Sequence, residues 1–590
     1  MKSKPKAKFV KELRNRMRLW LLLSLLLCLV VVTVVAVPVL RNPQLDYDDY
    51  RYLHNVDLLG QDFFGNITKA SVVENRWDHL WWIKIPERVR FFRPIVMLSY
   101  WSDVVSYGSN YKFGLLLTNV LIYSVCVSLA CLVFYRWLTP GLPFLVASVL
   151  FASFASHGEV LWYVAGRTDS LAAVFVLASV ALHSYGSKRK FLRSWALLAF
   201  AMAALTKEFA AVLPVLFFIY DLWIEKRFTS IRALIKSEWR LYGAYVIVAA
   251  VVFYLGMEVT SAPDKGYPYP YFTTWRHPDF LLHLWSQLRT YSANLLFGTL
   301  TVPFWTPSQI ENLVGLQGVV LGICILAASM YFLREQKKYW FLLIFAVAFW
   351  LPTTFAYVSE RYLLLPSFAV AGIVGLLLMR FRNWNQPVFY GALIAVLVWS
   401  GHQAYVLDRK VRLFCVVPRQ CQMMERELGA ARASVPRGGK VLVLNMPGDW
   451  LSAQFMKDFL RVELHDPSLE VTIITMMPFY TQDMGSNIVV RKEGEDVFSL
   501  ENKLDTPIMT REDDVFPWVT LEGGDKYADQ SGLQLEILKG DGSGCKALRV
   551  VVPRPLSEYV VLKWNSDPDR KTIPYVRQLR SKLEVLTRLE

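Results

Sequence analysis

Eleven long apolar runs dominate the first 405 positions. They lie near 19–40, 113–135, 142–156, 168–186, 193–206, 209–224, 241–259, 313–333, 339–357, 362–380 and 387–405. A soluble core does not take such runs one after another. A bilayer does, because a helix of about 20 apolar residues satisfies its own backbone groups while crossing the hydrocarbon. The first run has only Ser24 and Thr33 as polar interruptions, and Pro38 and Arg41-Asn42-Pro43 close it. A secretory leader has an apolar core of only about 7–15 residues, so an uncleaved first span is expected. The basic residues before it, from Lys2 to Arg18, predict a cytoplasmic N-terminus.

The remaining charge supports that orientation. Hydrophobic residues make up 54% of the 590 and charged residues 19%, which excludes intrinsic disorder. Lys and Arg number 64 against 49 Asp and Glu, a net +15. The excess reads as a topology signal, not as a nucleic-acid footprint, and no nucleic-acid partner is expected. It collects in short connections: Arg136, Lys188-Arg189-Lys190, Lys226-Arg227 with Arg232, Lys236 and Arg240, Arg334 with Lys337-Lys338, and Arg382. Those belong inside. Segments 41–112 and 260–312 then lie outside, and segment 278–302 is predicted to be an amphipathic helix in the outer interface.

The expected fold is mainly α: a polytopic membrane protein of about 11 transmembrane helices followed by a soluble α+β domain on the outer face. The expected division is a membrane module over 1–405, a helical connector over 406–435 and an α+β domain over 436–590. Strand-like runs there include 441–444, 471–475, 533–538, 548–552 and 560–564, separated by Gly-rich turns. Cys415 and Cys421 flank Pro418, and a bridge between them stays open, because spacing alone does not set bridge geometry.

Candidate chemistry concentrates at the helix ends assigned to the outer side. Asp48 and Asp49 follow the first span. Adjacent carboxylates there suit an aqueous cavity, where one can act as general base toward a hydroxyl. The next tips carry His157 and Glu159, then Arg167 and Asp169, then Lys207 and Glu208, then Glu360 and Arg361, with Arg93 ahead of the second span. Taken singly, each is a solvated helix-end charge. Together they avoid the inner ends, and such a ring fits an amphiphile with its tail in lipid and its charged head among them. His157 and Glu159 are the one compact candidate ligand pair for a divalent cation (Mg²⁺ or Mn²⁺), and two ligands make a weak site.

In order and spacing these stretches resemble the GT-C superfamily of integral-membrane glycosyltransferases, which includes protein O-mannosyltransferases and the lipid A aminoarabinose transferase. The nearest likeness is to the transmembrane, tetratricopeptide-containing O-mannosyltransferases and their bacterial relatives. The matching stretches are Asp48-Asp49, Phe92-Arg93-Pro94-Ile95 with Leu98-Ser99-Tyr100, Leu117-Thr118-Asn119, His157-x-Glu159 with Gly166-Arg167-x-Asp169, Thr206-Lys207-Glu208, and Ser359-Glu360-Arg361-Tyr362-Leu363 with Leu365-Pro366-Ser367. The likeness covers residues 41–410. Leu116 stands where the family often has His, Asp46-Tyr47 where Asn-Trp is common, and the α+β tail takes the place of the repeats.

The resemblance implies an inverting transfer from a polyprenyl-phosphate-linked sugar to a hydroxyl acceptor (lipid, glycan or protein), among membrane lipids, in an inner (plasma) membrane with the C-terminal domain periplasmic or extracellular. Asp48 or Asp49 would take the acceptor proton. Arg361, Arg167, Arg93 and Lys207 would hold the donor phosphate, Arg361 first because guanidinium matches phosphate in a bidentate way. His157, Glu159, Asp169, Glu208 and Glu360 would line the sugar. Two other classes stay open: a polytopic transporter, and a non-catalytic receptor or scaffold with an outer domain.

Overall fold

A computed structural model describes residues 4–75, 81–82, 89–186, 189–228, 230–259, 275–299, 309–414, 419–447, 450–477, 488–503, 507–510, 519–529, 531–566 and 581–586. In chain order the helices are α1 (Lys4–Arg41), α2 (Tyr47–Gln61), α3 (Phe63–Ala70), α4 (Pro94–Tyr107), α5 (Tyr111–Trp137), α6 (Leu142–Ser153), α7 (Gly158–Trp162), α8 (Arg167–Tyr185), α9 (Lys190–Ala204), α10 (Leu213–Ile219), α11 (Ile231–Val259), α12 (Phe280–Phe297), α13 (Gln309–Leu333), α14 (Lys337–Trp350), α15 (Leu364–Trp384), α16 (Gln386–Phe414), α17 (Arg419–Ala431) and α18 (Trp450–Glu463). Contacts divide the chain into two units: 1–43, 92–258 and 267–415 in the first; 44–91, 259–266 and 416–590 in the second.

The first unit is a multi-pass membrane bundle. All eleven apolar runs are helical. Among the described residues eight helices are long and apolar enough to cross a bilayer, or nine if α6 and the 155–162 segment, bent by 44° at Phe154, form one span. The run at 193–206 is a shorter helix, and 209–224 divides into a 3₁₀ turn, α10 and a π-helical turn. Helix α12 forms but does not qualify as a span. Prolines in the first turn start α4, α6 and α10, where a missing N–H costs nothing. Gly298, left-handed at φ +72°, ends α12. The core lies between α5, α6, α8 and α15, with Phe134 stacked on Phe368 at 4.6 Å. On α11, Val246, Ile247, Val251 and Phe253 stay exposed, a continuous apolar face suited to lipid.

The second unit is α+β. Strands are β1 (Val72–Asn75), β2 (Val89–Phe92), β3 (Lys440–Leu444), β4 (Met446–Pro447), β5 (Glu470–Ile473), β6 (Met476–Met477), β7 (Ile488–Lys492), β8 (Val497–Asn502), β9 (Met509–Thr510), β10 (Lys526–Ala528), β11 (Gln534–Gly540), β12 (Gly544–Val551), β13 (Tyr559–Ser566) and β14 (Ser581–Leu586). One sheet runs β14-β13-β3-β5, parallel across β13, β3 and β5. A second, larger sheet runs β10-β11-β12-β8-β7 and is antiparallel, with β9 also on β12, and β1-β2 and β4-β6 form two-stranded pairs. In β8 the period of two is plain: Phe498, Leu500 and Asn502 are buried between less buried neighbours. All five strand-like runs of the tail are strands. Cys415 falls outside the described residues, and so does its proposed bridge to Cys421.

The segment after the first span folds with the tail. Helix α2 packs on α18, with Tyr50 edge-on to Phe459 at 4.8 Å and the Arg51 guanidinium 5.1 Å from the Phe455 ring. The Tyr50 hydroxyl donates to Glu425, the Gln44 amide to Gln422 at 2.9 Å, and the Trp81 indole N–H to the Ile474 carbonyl at 2.9 Å. The expected outer loop at 41–112 is therefore mostly helix, and its first half is bonded into the α+β unit.

Candidate active site

Nine of the sequence candidates lie in the first unit, and four of them, Asp169, Lys207, Arg361 and Glu159, are joined directly. The centre is Asp169, in the first turn of α8. Lys207, in the turn between α9 and α10, donates to its Oδ1, and Arg361 Nε lies 3.4 Å from its Oδ2. Arg361 sits on a 3₁₀ turn ahead of α15, held by its own backbone N–H to Glu159 Oε2 at 3.2 Å. Ser359 Oγ donates to the same Glu159 oxygen at 2.5 Å. The Arg361 guanidinium donates to the Tyr357 hydroxyl and lies over the Tyr163 and Tyr362 rings at 5.4 and 5.7 Å. Lys207 lies 4.8 Å from the Tyr362 ring.

These two cations keep an exposed edge, with Arg361 at 12% and Lys207 at 11% side-chain exposure. Burial pushes the Lys207 ammonium down to about 8; Asp169 opposes that shift, and the neighbouring Arg93 and Arg361 charges add to it. Beside them is a shallow recess of about 10 Å³, room for about one water, lined by Asp169, Arg361 and Tyr362 and by apolar Phe209, Phe349 and Leu365. Charge at one side and an apolar wall at the other is what an amphiphile needs.

Glu208 and Arg93 complete this edge. Glu208 is 57% exposed, and Arg93 Nε approaches it only to 4.0 Å.

Arg167 is placed differently. It is 0% exposed. Its guanidinium meets Asp103 Oδ2 at 2.7 Å, Asn119 Oδ1 at 2.7 Å, the Leu115 carbonyl at 2.6 Å and Ser99 Oγ at 3.2 Å, over the Tyr100 ring at 4.5 Å. With three N–H hydrogen bonds and one ion pair made to protein and no solvent edge, it clamps α4 and α5 to α8 and does not present itself to a donor phosphate. Glu360 is likewise buried, accepting from Lys410 Nζ at 2.7 Å and Asn294 Nδ2 at 2.8 Å. His157 is enclosed, with Nδ1 at 2.7 Å from the Tyr123 hydroxyl and Nε2 at 2.8 Å from Ser367 Oγ.

That enclosure decides the fit of a divalent cation. Both ring nitrogens of His157 already have hydroxyl partners, and the Glu159 carboxylate faces Ser359 and Arg361. Among the described residues no three His, Cys, Asp or Glu side chains group to hold a metal. The expected ligand pair does not fit a metal here.

Asp48 and Asp49 lie in the second unit, at the N-terminus of α2, where acids suit the helix dipole. Asp49 is buried and accepts the Asp46 N–H at 2.9 Å; Asp48, more open, pairs with Arg51 at 2.5 Å.

Sequence reasoning missed Asp103, Lys410 and the tyrosines around Arg361. Asp103 carried a usable signal: it is an ionisable residue inside the otherwise uncharged α4, where burial demands a partner. Lys410 carried none, standing among Asp408, Arg409 and Arg412. The tyrosines carried none, since aromatic residues abound at every membrane interface.

No protein-family model matches the sequence, and no curated protein matches it. Over 78% of this chain and 85% of that one, the structure is similar to that of ArnT from Cupriavidus metallidurans bound to undecaprenyl phosphate, at 13% identity and a TM-score of 0.44. Over 75% of this chain and 63% of that one, it is similar to the Archaeoglobus fulgidus oligosaccharyltransferase tethered to an acceptor peptide with an NVT sequon, at 12% identity and a TM-score of 0.41. Neither lends a residue, a ligand or a reaction to this chain.

Proposed function

We propose that this protein is a GT-C glycosyltransferase that moves a sugar from a polyprenyl-phosphate donor to a hydroxyl acceptor at one membrane surface. The observation that carries the reading is the half-open Arg361–Asp169–Lys207 cluster beside an apolar-walled recess. In this reading the isoprenoid lies along the apolar wall, and the donor phosphate displaces part of the Arg361–Asp169 contact. Arg361 offers a planar fork and Lys207 a point charge. Together they stabilise the phosphate as it leaves, the moment at which a positioned charge lowers the barrier. Arg93 adds long-range attraction, and exposed Glu208 faces the sugar or the acceptor. Arg167, Glu360 and His157 hold the helices that carry these groups.

The general base is assigned to Asp48, with Asp49 shaping the turn that presents it. This rests on the acid pair's place directly after the first span and on Asp48 being the more open of the two. The acceptor oxygen attacks the anomeric carbon from the face opposite the phosphate, its proton passes to the carboxylate, and the C–O bond to phosphate breaks, which inverts the centre.

The test is transfer from a synthetic polyprenyl-phosphate sugar by purified Asp48→Asn and Asp49→Asn. A positioned base contributes about 10²–10⁴-fold, so Asp48→Asn should lose at least the lower figure at an unchanged melting temperature. Near-full rates in both variants would refute the base assignment and leave the phosphate assignment standing.

A further inference from the structure

The basic residues of 225–240 have so far been counted only as a topology signal. In the structure most of that stretch is helix. Ser230 Oγ accepts the Ala233 N–H at 3.2 Å, and α11 opens at Ile231. The backbone breaks at Glu238, at φ −121° and ψ 15°. A short amphipathic segment therefore precedes the apolar run that continues to Gly256.

That segment has three faces. The first is fixed to the bundle: Leu234 is buried, and the Glu238 carboxylate meets Arg193 Nη1 at 3.1 Å and Arg227 Nη2 at 3.5 Å. Arg193 is held in turn by buried Asp221 at 2.6 Å, which also accepts the Tyr242 hydroxyl at 3.0 Å. The second face is apolar and open: Ile231, Ile235 and Trp239, spaced by four, are each more than half exposed. The third is basic and open: Arg232, Lys236 and Arg240, spaced likewise. Glu238, the acid of this stretch, is turned to the protein, so the outward charge is positive throughout.

Position settles what lies against it. The segment leads straight into a span, so it sits where acyl chains give way to headgroups. Its apolar stripe matches the acyl boundary and its basic stripe the phosphates. A zwitterionic headgroup brings its own ammonium beside the phosphate, whereas an acidic phospholipid leaves the negative charge unbalanced. We infer that Ile231–Arg240 is a binding site for acidic phospholipid headgroups, contacted by Arg232, Lys236 and Arg240 and anchored by Trp239. It is independent of the glycosyl-transfer reading.

The test is native mass spectrometry of the full-length protein from micelles carrying phosphatidylglycerol or phosphatidylcholine. The wild type should retain phosphatidylglycerol in preference. R232Q/K236Q/R240Q should retain about tenfold less, at an unchanged melting temperature, because each basic residue near an acidic surface contributes separately. The charge-conserving R232K/K236R/R240K should retain the wild-type level. R334Q/R380Q/R382Q, which removes three exposed charges elsewhere, should change it by less than about twofold. Equal retention of the two lipids, full retention by the glutamine variant, an equal loss in the control, or equally tight binding of soluble glycerol phosphate would each overturn the assignment.

Discussion

Arg167 and Arg361 carry the same guanidinium, stand at the ends of neighbouring helices and were equal candidates for gripping a phosphate. Their surroundings separate them. Arg167 has Asp103, Asn119, Ser99 and a carbonyl around it and no exposed edge. Arg361 has one long ion pair, a tyrosine hydroxyl and a recess beside it. A buried charge that has met its full set of partners contributes to structure, and one that has kept an edge can still meet a ligand. The contrast extends along the ring: Glu360 with Lys410 belongs with Arg167, and Lys207 and Glu208 belong with Arg361.

The largest effect that would break this contrast is on stability. Arg167→Ala leaves Asp103 buried without its charge partner, a loss of about 3–5 kcal/mol for a buried pair cut on one side. The melting temperature and yield in detergent should collapse, and Arg167→Ala/Asp103→Ala should recover part of the loss. If Arg167→Ala folds normally and fails only in donor binding, the two arginines have the same role. Arg361→Ala should do the reverse: transfer falls by about 10²-fold or more, as when one transition-state donor is removed, at a near-normal melting temperature. Arg361→Lys should recover part of it, the point charge without the fork.

A smaller effect is expected from pH. Lys207 is charged below about 8 and neutral above. Donor affinity should therefore fall as pH rises through about 8, and Lys207→Met should flatten that limb. Stability should not fall in the same window. The folded chain binds this proton less readily than the unfolded one, so the Lys207 contribution to stability rises with pH between about 8 and the ordinary lysine value. The smallest effect is at Glu208. Its exposed, long-range pair with Arg93 is worth little, and Glu208→Gln should shift stability by no more than about 0.5 kcal/mol while altering the KM of sugar or acceptor.

The sequence made the membrane bundle legible because hydropathy needs no partner: a run of twenty apolar residues is a helix wherever it sits. The strands at 440–444 and 544–551 were legible for a similar reason, local periodicity between glycines. Positions decided by long-range pairing were not. The 44–91 segment reads as a loop because its apolar partners lie on α18, some 400 residues away. The ring was legible as a set, since each member marks a helix end. Its division into clamped and open groups was not, because it depends on which member meets a distant partner, Arg167 with Asp103 and Glu360 with Lys410.

The most direct test is the affinity of the purified protein for a polyprenyl phosphate and for the same polyprenol without phosphate. The account predicts a clear preference for the phosphate, lost by about tenfold or more in Arg361→Ala and kept in Glu208→Gln. Equal affinity for the two lipids, or a phosphate preference that survives Arg361→Ala and Lys207→Met together, would contradict it.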